Sequence, residues 1–297
     1  MPARFRRERL LIIGCGDVGM RVVRKLGGRF SVYTLTSSPE RIKLLRQSGV
    51  TPLLGNLDDA STLARLAGIA TRVIHLAPPP AQGQCDTRSA ALVAALRLRG
   101  VPQSLVYGST SGVYGDCQGG VASEVRAVKP YTPRAVRRVD AEARVRHLGR
   151  ATGVRTSILR IPGIYAQDRQ GGTPEARLRK GTPVLQAADD VYTNHIHADD
   201  LARAVIKALW QGKPQRVVNV NDDTVLKMGD YFDLAADLYG LPRPPRVPRS
   251  LAQDQLPLML LSFMGESRRM DNARLKKELK LRLNYATVAN GLGAKLS

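Results

Sequence analysis

Residues 10–26 read LLIIGCGDVGMRVVRKL. Leu10 to Ile13 have the length and continuity of a strand covered on both faces, and a helical pattern opens at Asp17. Between them Gly14, Gly16 and Gly19 stand in the spacing G-x-G-x-x-G. The first glycine permits a tight turn, the second lets backbone approach a pyrophosphate, and the third allows helix and strand to pack closely. The helix N–H groups and dipole then face the anion. At the chain's first strand–helix unit this pattern predicts a dinucleotide site built from Gly14, Gly16, Asp17, Val18 and Gly19.

The rhythm outside that stretch agrees. Strand patterns recur at 9–14, 31–36, 50–55, 72–77, 104–109 and 155–161, with helical patterns between them at 39–47, 57–66, 87–99 and 132–149. Such alternation predicts an α/β protein with a Rossmann-type, doubly wound parallel sheet. The helix at 132–149 is well marked, with Thr132 as N-cap and Pro133 at the first helical position. After Pro162 the rhythm breaks, and a helix at 198–211, a strand at 216–221, a helix at 228–239, the proline-rich 241–250 and a helical pattern near 272–279 follow. The expected organisation is a dinucleotide-binding domain over 1–165 and a small C-terminal substrate lobe over 166–297, with 196–221 returning a helix and a strand to the main sheet. The lobe is expected to close over the carboxyl ends of the strands, where open α/β sheets bind ligands.

The 297 residues carry 46 Lys and Arg against 25 Asp and Glu, a formal charge of +21. A field of that sign attracts anions. The basic residues run the whole length without a dense block and aromatics are only 5%, so a solvated arginine-rich surface is expected rather than a nucleic-acid platform. Cys15, Cys85 and Cys117 are odd in number and lack zinc-like spacing, which points to a reducing, cytoplasmic setting. The basic start, MPARFRRERL, is expected to be a flexible tail rather than a signal peptide, and LPLMLLSFMG at 256–265 is about half a membrane span, so no membrane partner is expected.

The dinucleotide fingerprint places a carboxylate about 20 residues on, for the adenosine 2′-hydroxyl. Here YTLTSSPER at 33–41 has none before Glu40. Thr36, Ser37 and Arg41 suit a 2′-phosphate better, which favours NADP over NAD.

GCGDVG, GNLDD at 55–59, VIHLA at 73–77, STSGVYGD at 109–116, LRIPGIYAQDR at 159–169 and NHIHADDLARAV at 194–205 together resemble the short-chain dehydrogenase/reductase superfamily, in its extended, NAD-dependent epimerase/dehydratase branch. The tail, NVNDD with KMGDYFDLAADLYGLPRPPRVP and SRRMDNARLKKELKLRL, is similar to atypical members described as nucleoside-diphosphate-sugar epimerases. The resemblance implies an NAD(P)-dependent oxidoreductase or epimerase acting on a small carbonyl, hydroxyl or sugar-nucleotide-like substrate, phosphorylated compounds included. It also implies a homodimer, and a cofactor wall continued by Asn56, Leu57, Leu76, Ala77 and Pro78.

In that superfamily a Ser or Thr polarises the substrate oxygen, a Tyr moves the proton, and a Lys four residues later holds the nicotinamide ribose. Counting back from VYG, the hydroxyl falls on Thr110. RAVRRVDAE at 134–142 is similar to the family's Y-x-x-x-K-x-x-x-E, which puts Arg134 and Arg138 where the Tyr and Lys would stand. A guanidinium stays protonated and offers donors only, so it cannot carry a proton. Arg138 can still hold the ribose. Tyr131 is the nearest candidate proton carrier, and Tyr114 and Tyr165 lie in loops that the fold would bring to the same cleft. The substrate wall is then Ser111, Tyr114, Arg134, Pro162, Tyr165 and His195. Thr193 stands where sugar-nucleotide enzymes often carry an arginine for the diphosphate. The missing pair leaves an alternative open, a catalytically degenerate NADP(H)-binding sensor or scaffold.

Other signals carry less. His195 and His197 with Asp199 and Asp200 read as a cleft contact and helix caps, not metal ligands, and Asp58, Asp59, Asp222 and Asp223 likewise as caps. His75 reads as a hydrogen-bonded core histidine and Cys117 as an inert thiol. GSTSG at 108–112 has the spacing of a hydrolase elbow but continues as a loop.

Overall fold

The computed structural model describes residues 7–293, so the basic start at 1–6 lies outside the described residues. Seven parallel strands form the central sheet. They are β1 (Arg9–Ile13), β2 (Ser31–Thr36), β3 (Thr51–Leu54), β4 (Arg72–His75), β5 (Ser104–Thr110) and the strands Arg155–Ile161 and Arg216–Asn219. Across the sheet they run Arg216–Asn219, Arg155–Ile161, β5, β4, β1, β2, β3. The strand order reverses between β1 and β4, which opens a crevice at their carboxyl ends.

The strand residues alternate between two cores. Leu10 and Ile12 face a core shared with α1 (Asp17–Leu26), α2 (Arg41–Gln47) and the helix Ala198–Gln211, whereas Leu11 and Ile13 face one shared with α3 (Thr87–Arg97) and α4 (Pro133–Thr152). Covering both faces explains why the strands read as continuous apolar runs. A third core, with Leu178, Val184, Phe232, Ala236 and Leu292, belongs to the C-terminal segments. Here the proline-rich stretch contributes Arg246–Val247, paired in parallel with Val184–Leu185. The apolar run near 256–265 becomes the short helix Leu258–Met264. Among the described residues no helix is long and apolar enough to cross a membrane.

Local signals set several boundaries. On α4, Thr132 Oγ1 accepts from Ala135 N at 3.2 Å, and Gly153, at φ 75°, ends the helix. The segment at 57–66 is a 3-10 helix, Ala60–Leu66, capped by Asp59, whose carboxylate accepts from Ser61 N. The aspartates near 200 and 222 do not cap helices. His197 Nδ1 accepts from Asp199 N to cap Ala198–Gln211, while fully buried Asp200 accepts from the Asn284 and Tyr285 amides and so ties down the C-terminal segment. Asp222 closes a turn by accepting from Thr224 N.

Candidate active site

The crevice at the strand ends opens into a cleft of about 910 Å³. One wall is the turn from β1 into α1. Gly14 has φ 81°, and a Cβ there would stand 2.4 Å from Ala77 N, so only glycine lets the turn pass β4. Gly19 packs tightly, since its Cβ would meet Cys15 Sγ at 3.2 Å. Gly16 is different, because a Cβ there would meet no protein atom within 4 Å and would point into open space. The helix has no side-chain cap, and its first backbone bond runs from Met20 N to Gly16 O. The amides of Asp17, Val18 and Gly19 therefore have no helical acceptor and face the anion-attracting end of the dipole. Room and donors suited to a pyrophosphate coincide here.

Asp17 is held from two sides. Its Oδ1 accepts from Arg21 Nε at 3.1 Å and its Oδ2 from Arg169 Nη1 at 2.6 Å. Arg21, buried under the helix, also binds Asp168 and Asp199. The loop after the strand Gly163–Tyr165 is thereby fastened across the start of α1, with Arg169 on the cleft wall.

The opposite wall comes from β5 and α4. Thr110 Oγ1 accepts weakly from Gly112 N at 3.3 Å, which leaves its hydroxyl proton free to donate into the cleft. Beneath it a buried ion-pair knot fixes the edge: Glu142 accepts from Ser109 Oγ at 2.7 Å and from Arg160 Nη2 at 2.8 Å. Arg138 Nη1 donates to Gly108 O at 2.7 Å and to the Tyr107 hydroxyl at 2.9 Å, so the guanidinium lies along the ends of β4 and β5. Arg134 lines the same wall, exposed, over the Phe263 ring.

The third wall belongs to the C-terminal segments. His195 stacks on Tyr231 at 4.2 Å between ring centres, with Tyr165 edge-on to it. Burial pushes the His195 pKa down to about 3, so the imidazole is neutral at physiological pH. Burial pushes Tyr165 and Tyr231 well above the usual phenol range, and nearby Asp222 raises Tyr165 further. These phenols are neutral groups, and Tyr165 donates to Thr287 O.

Gly14, Gly16, Asp17, Val18, Gly19, Leu76, Pro78, Thr110, Ser111, Arg134, Arg138, Pro162, Tyr165 and His195 are therefore brought together on one cleft. Thr36, Ser37, Arg41, Asn56, Leu57 and Ala77 sit around it at the ends of β2, β3 and β4 without lining it; Arg41 Nη2 donates to Cys15 O at 2.7 Å, against the glycine turn. Two expected residues lie elsewhere. Tyr131 precedes the α4 cap, is 86% exposed and does not line the cleft, because the extended backbone at Thr132 leaves it in solvent. Tyr114 is buried behind the wall, its hydroxyl donating to Asn219 Oδ1 at 2.7 Å. The sequence reading missed Arg169, Arg177, Glu266 and Arg268, which line the cleft from loops and short helices with no periodic signal of their own. His75 is a core histidine bonded to Ser89 Oγ, and burial pushes the Cys117 thiol up. No group of metal-ligating residues occurs among the described residues.

The family model for the NAD dependent epimerase/dehydratase family matches residues 10–221. The chain belongs to that family. Solved structures similar to this member cover nearly its whole length. A functionally unknown conserved protein from Silicibacter pomeroyi is 27% identical, with 96% of this chain and 97% of that one covered and a TM-score of 0.78. UDP-glucose 4-epimerase from Thermotoga maritima, solved with UDP-glucose, is 18% identical over 96% of both chains with a TM-score of 0.78. UDP-glucuronic acid 4-epimerase from Bacillus cereus, in complex with NAD, is 18% identical over 97% of both with a TM-score of 0.75. At these identities the two epimerases speak for the fold. Comparison with curated protein sequences gives no match.

Proposed function

We infer that this family member is an oxidoreductase or epimerase that uses a nicotinamide dinucleotide, NADP in preference to NAD, on a small carbonyl, hydroxyl or sugar-nucleotide-like substrate. The carrying observation is that Thr110, whose Oγ1 accepts from Gly112 N and donates to no acceptor among the described residues, lines the cleft that also holds the glycine cradle. The nicotinamide, when bound, supplies or accepts the hydride. The Gly16–Gly19 turn holds the pyrophosphate on bare amides, and Arg138, anchored on Gly108 O, offers its remaining donors to a ribose hydroxyl. Thr110 donates to the substrate oxygen and stabilises negative charge as it develops there. The NADP preference rests on Thr36, Ser37 and Arg41 after β2, where no carboxylate precedes Glu40. The same reading divides the chain into a cofactor domain at 1–165 and a substrate lobe at 166–297, with 196–221 in the main sheet, working as a cytoplasmic homodimer.

Arg134 and Arg138 favour a second reading, in which the protein binds NADP(H) as a sensor or scaffold without turnover, since both offer donors only. One experiment separates the two. The purified chain is titrated with NADPH and NADH, then incubated with carbonyl and sugar-nucleotide panels while nucleotide absorbance and product stereochemistry are followed. Turnover that falls about 100-fold in Thr110→Ala, with NADPH affinity unchanged, supports the enzyme. Saturable NADPH binding with no turnover on either panel supports the sensor, and no saturable binding of either nucleotide overturns both.

A further inference from the structure

Six arginines line the cleft, Arg134, Arg137, Arg138, Arg169, Arg177 and Arg268, against two carboxylates, Asp17 and Glu266, among the described residues. Most of these cations already have acceptors. Arg169 holds Asp17, Arg268 holds Glu266 and the Gly115 carbonyl, Arg137 the Gly83 carbonyl and Arg138 the Gly108 carbonyl. Arg134 is exposed to solvent.

Arg177 is the exception. It stands on the short helix Glu175–Arg179 with its guanidinium over the Phe232 ring at 4.3 Å, and makes no ion pair among the described residues. The acid of its own helix, Glu175, is taken by Arg179 at 2.7 Å. Its Nε and Nη2 are shielded from solvent and have no acceptor, and burial pushes its pKa below the usual guanidinium range. The ring face holds the guanidinium plane but supplies no counter-charge equal to a carboxylate. A half-buried cation without a partner is unfavourable in the free protein and becomes favourable once an anion enters beside it.

We propose that Arg177 is the recognition cation for an oxyanion of the substrate, a carboxylate or a phosphoryl group, bound on the lobe wall of the cleft. This deepens the reading given under the proposed function and rests on it for the word substrate. It makes Arg177 a specificity-determining residue: a neutral sugar leaves the cation unmatched, while an anionic one matches it and gains from the positive field of the whole cleft.

The test is isothermal titration of the full chain with glucose, glucuronate and glucose 6-phosphate, each with and without NADPH, in the wild type, R177Q and R179Q. In the wild type at least one charged sugar is expected to bind tenfold or more tighter than glucose, and which one does so tells carboxylate from phosphoryl recognition. R177Q is expected to lose that margin while its glucose affinity stays the same, and R179Q, on the exposed side of the same helix, to keep it. R177Q is also expected to unfold near the wild-type temperature, since it loses only the contact with the Phe232 ring and no ion pair. Neither anion exceeding glucose, a margin that survives in R177Q, or a marked fall in the R177Q melting temperature would each overturn the proposal. The arms without NADPH keep the two readings apart: absent nucleotide binding beside intact sugar-acid binding sinks the cofactor reading and leaves the anion site standing.

Discussion

At Asp222 burial and charge oppose each other. The residue is 1% exposed, Oδ1 accepts from Thr224 N, and burial raises its pKa from 3.8 to about 7. Between those values the folded chain keeps a proton that the unfolded chain has lost, so this group's contribution to stability falls as pH rises from about 4 through 7. His75 and His195 act in the opposite sense. Burial lowers both from 6.5 to about 3, and the stability of their neutral, folded forms is lost as pH falls below 6.5. Asp222→Asn removes only the first effect. In urea unfolding the variant is expected to match the wild type at pH 4 and to exceed it by about 1 kcal/mol or more at pH 8; parallel pH profiles would contradict the assignment. Glu142 is the converse case, a buried carboxylate fully matched by Arg160, Arg146 and Ser109. Glu142→Gln leaves Arg160 buried beside a neutral amide, and a loss of about 3 kcal/mol is expected in thermal unfolding.

The glycine turn shows how one element separates stability from binding. Gly14→Ala would place a Cβ against the backbone of Ala77 at a positive φ, and about 3 kcal/mol of destabilisation is expected. Gly16 has extended backbone and open space before it, so Gly16→Ala is expected to unfold within about 0.5 kcal/mol of the wild type while weakening NADPH binding about tenfold or more. Equal effects of the two variants on melting and on titration would break this division of roles. Elements with strong local chemistry were legible in advance. Thr132, Pro133 and Gly153 delimit α4 by capping rules alone. The 57–66 segment was not, because Asp59 satisfies the first amides of a tight turn that apolar spacing cannot distinguish from an α-helix.

Over the whole molecule, the core under α1 and the core of the C-terminal segments meet at one cleft. The C-terminal segments are fastened to the sheet both by apolar packing, with Leu275, Leu279 and Leu281 in the core of Leu10 and Ile12, and by polar contacts, from fully buried Asp200 to the amides of Asn284 and Tyr285 and from buried Arg21 to Asp168. A ligand bound at such a junction stabilises the native chain by mass action. NADPH at about 100 times its dissociation constant is expected to add about 2.7 kcal/mol, read as a rise in melting temperature that Gly16→Ala cuts to about 1.4 kcal/mol or less at the same concentration.

The sequence by itself determined the parallel sheet, the glycine cradle and the long capped helix, because each is written in local spacings, capping residues and periodicities that the chain displays openly. It also determined that arginines stand at 134 and 138. Only the tertiary structure decided which side chains share the cleft. Tyr131 falls outside it, Tyr114 behind it, and Arg169 and Arg177 within it, because loops and short helices take their positions from long-range packing and from ion pairs between residues up to 178 apart in sequence.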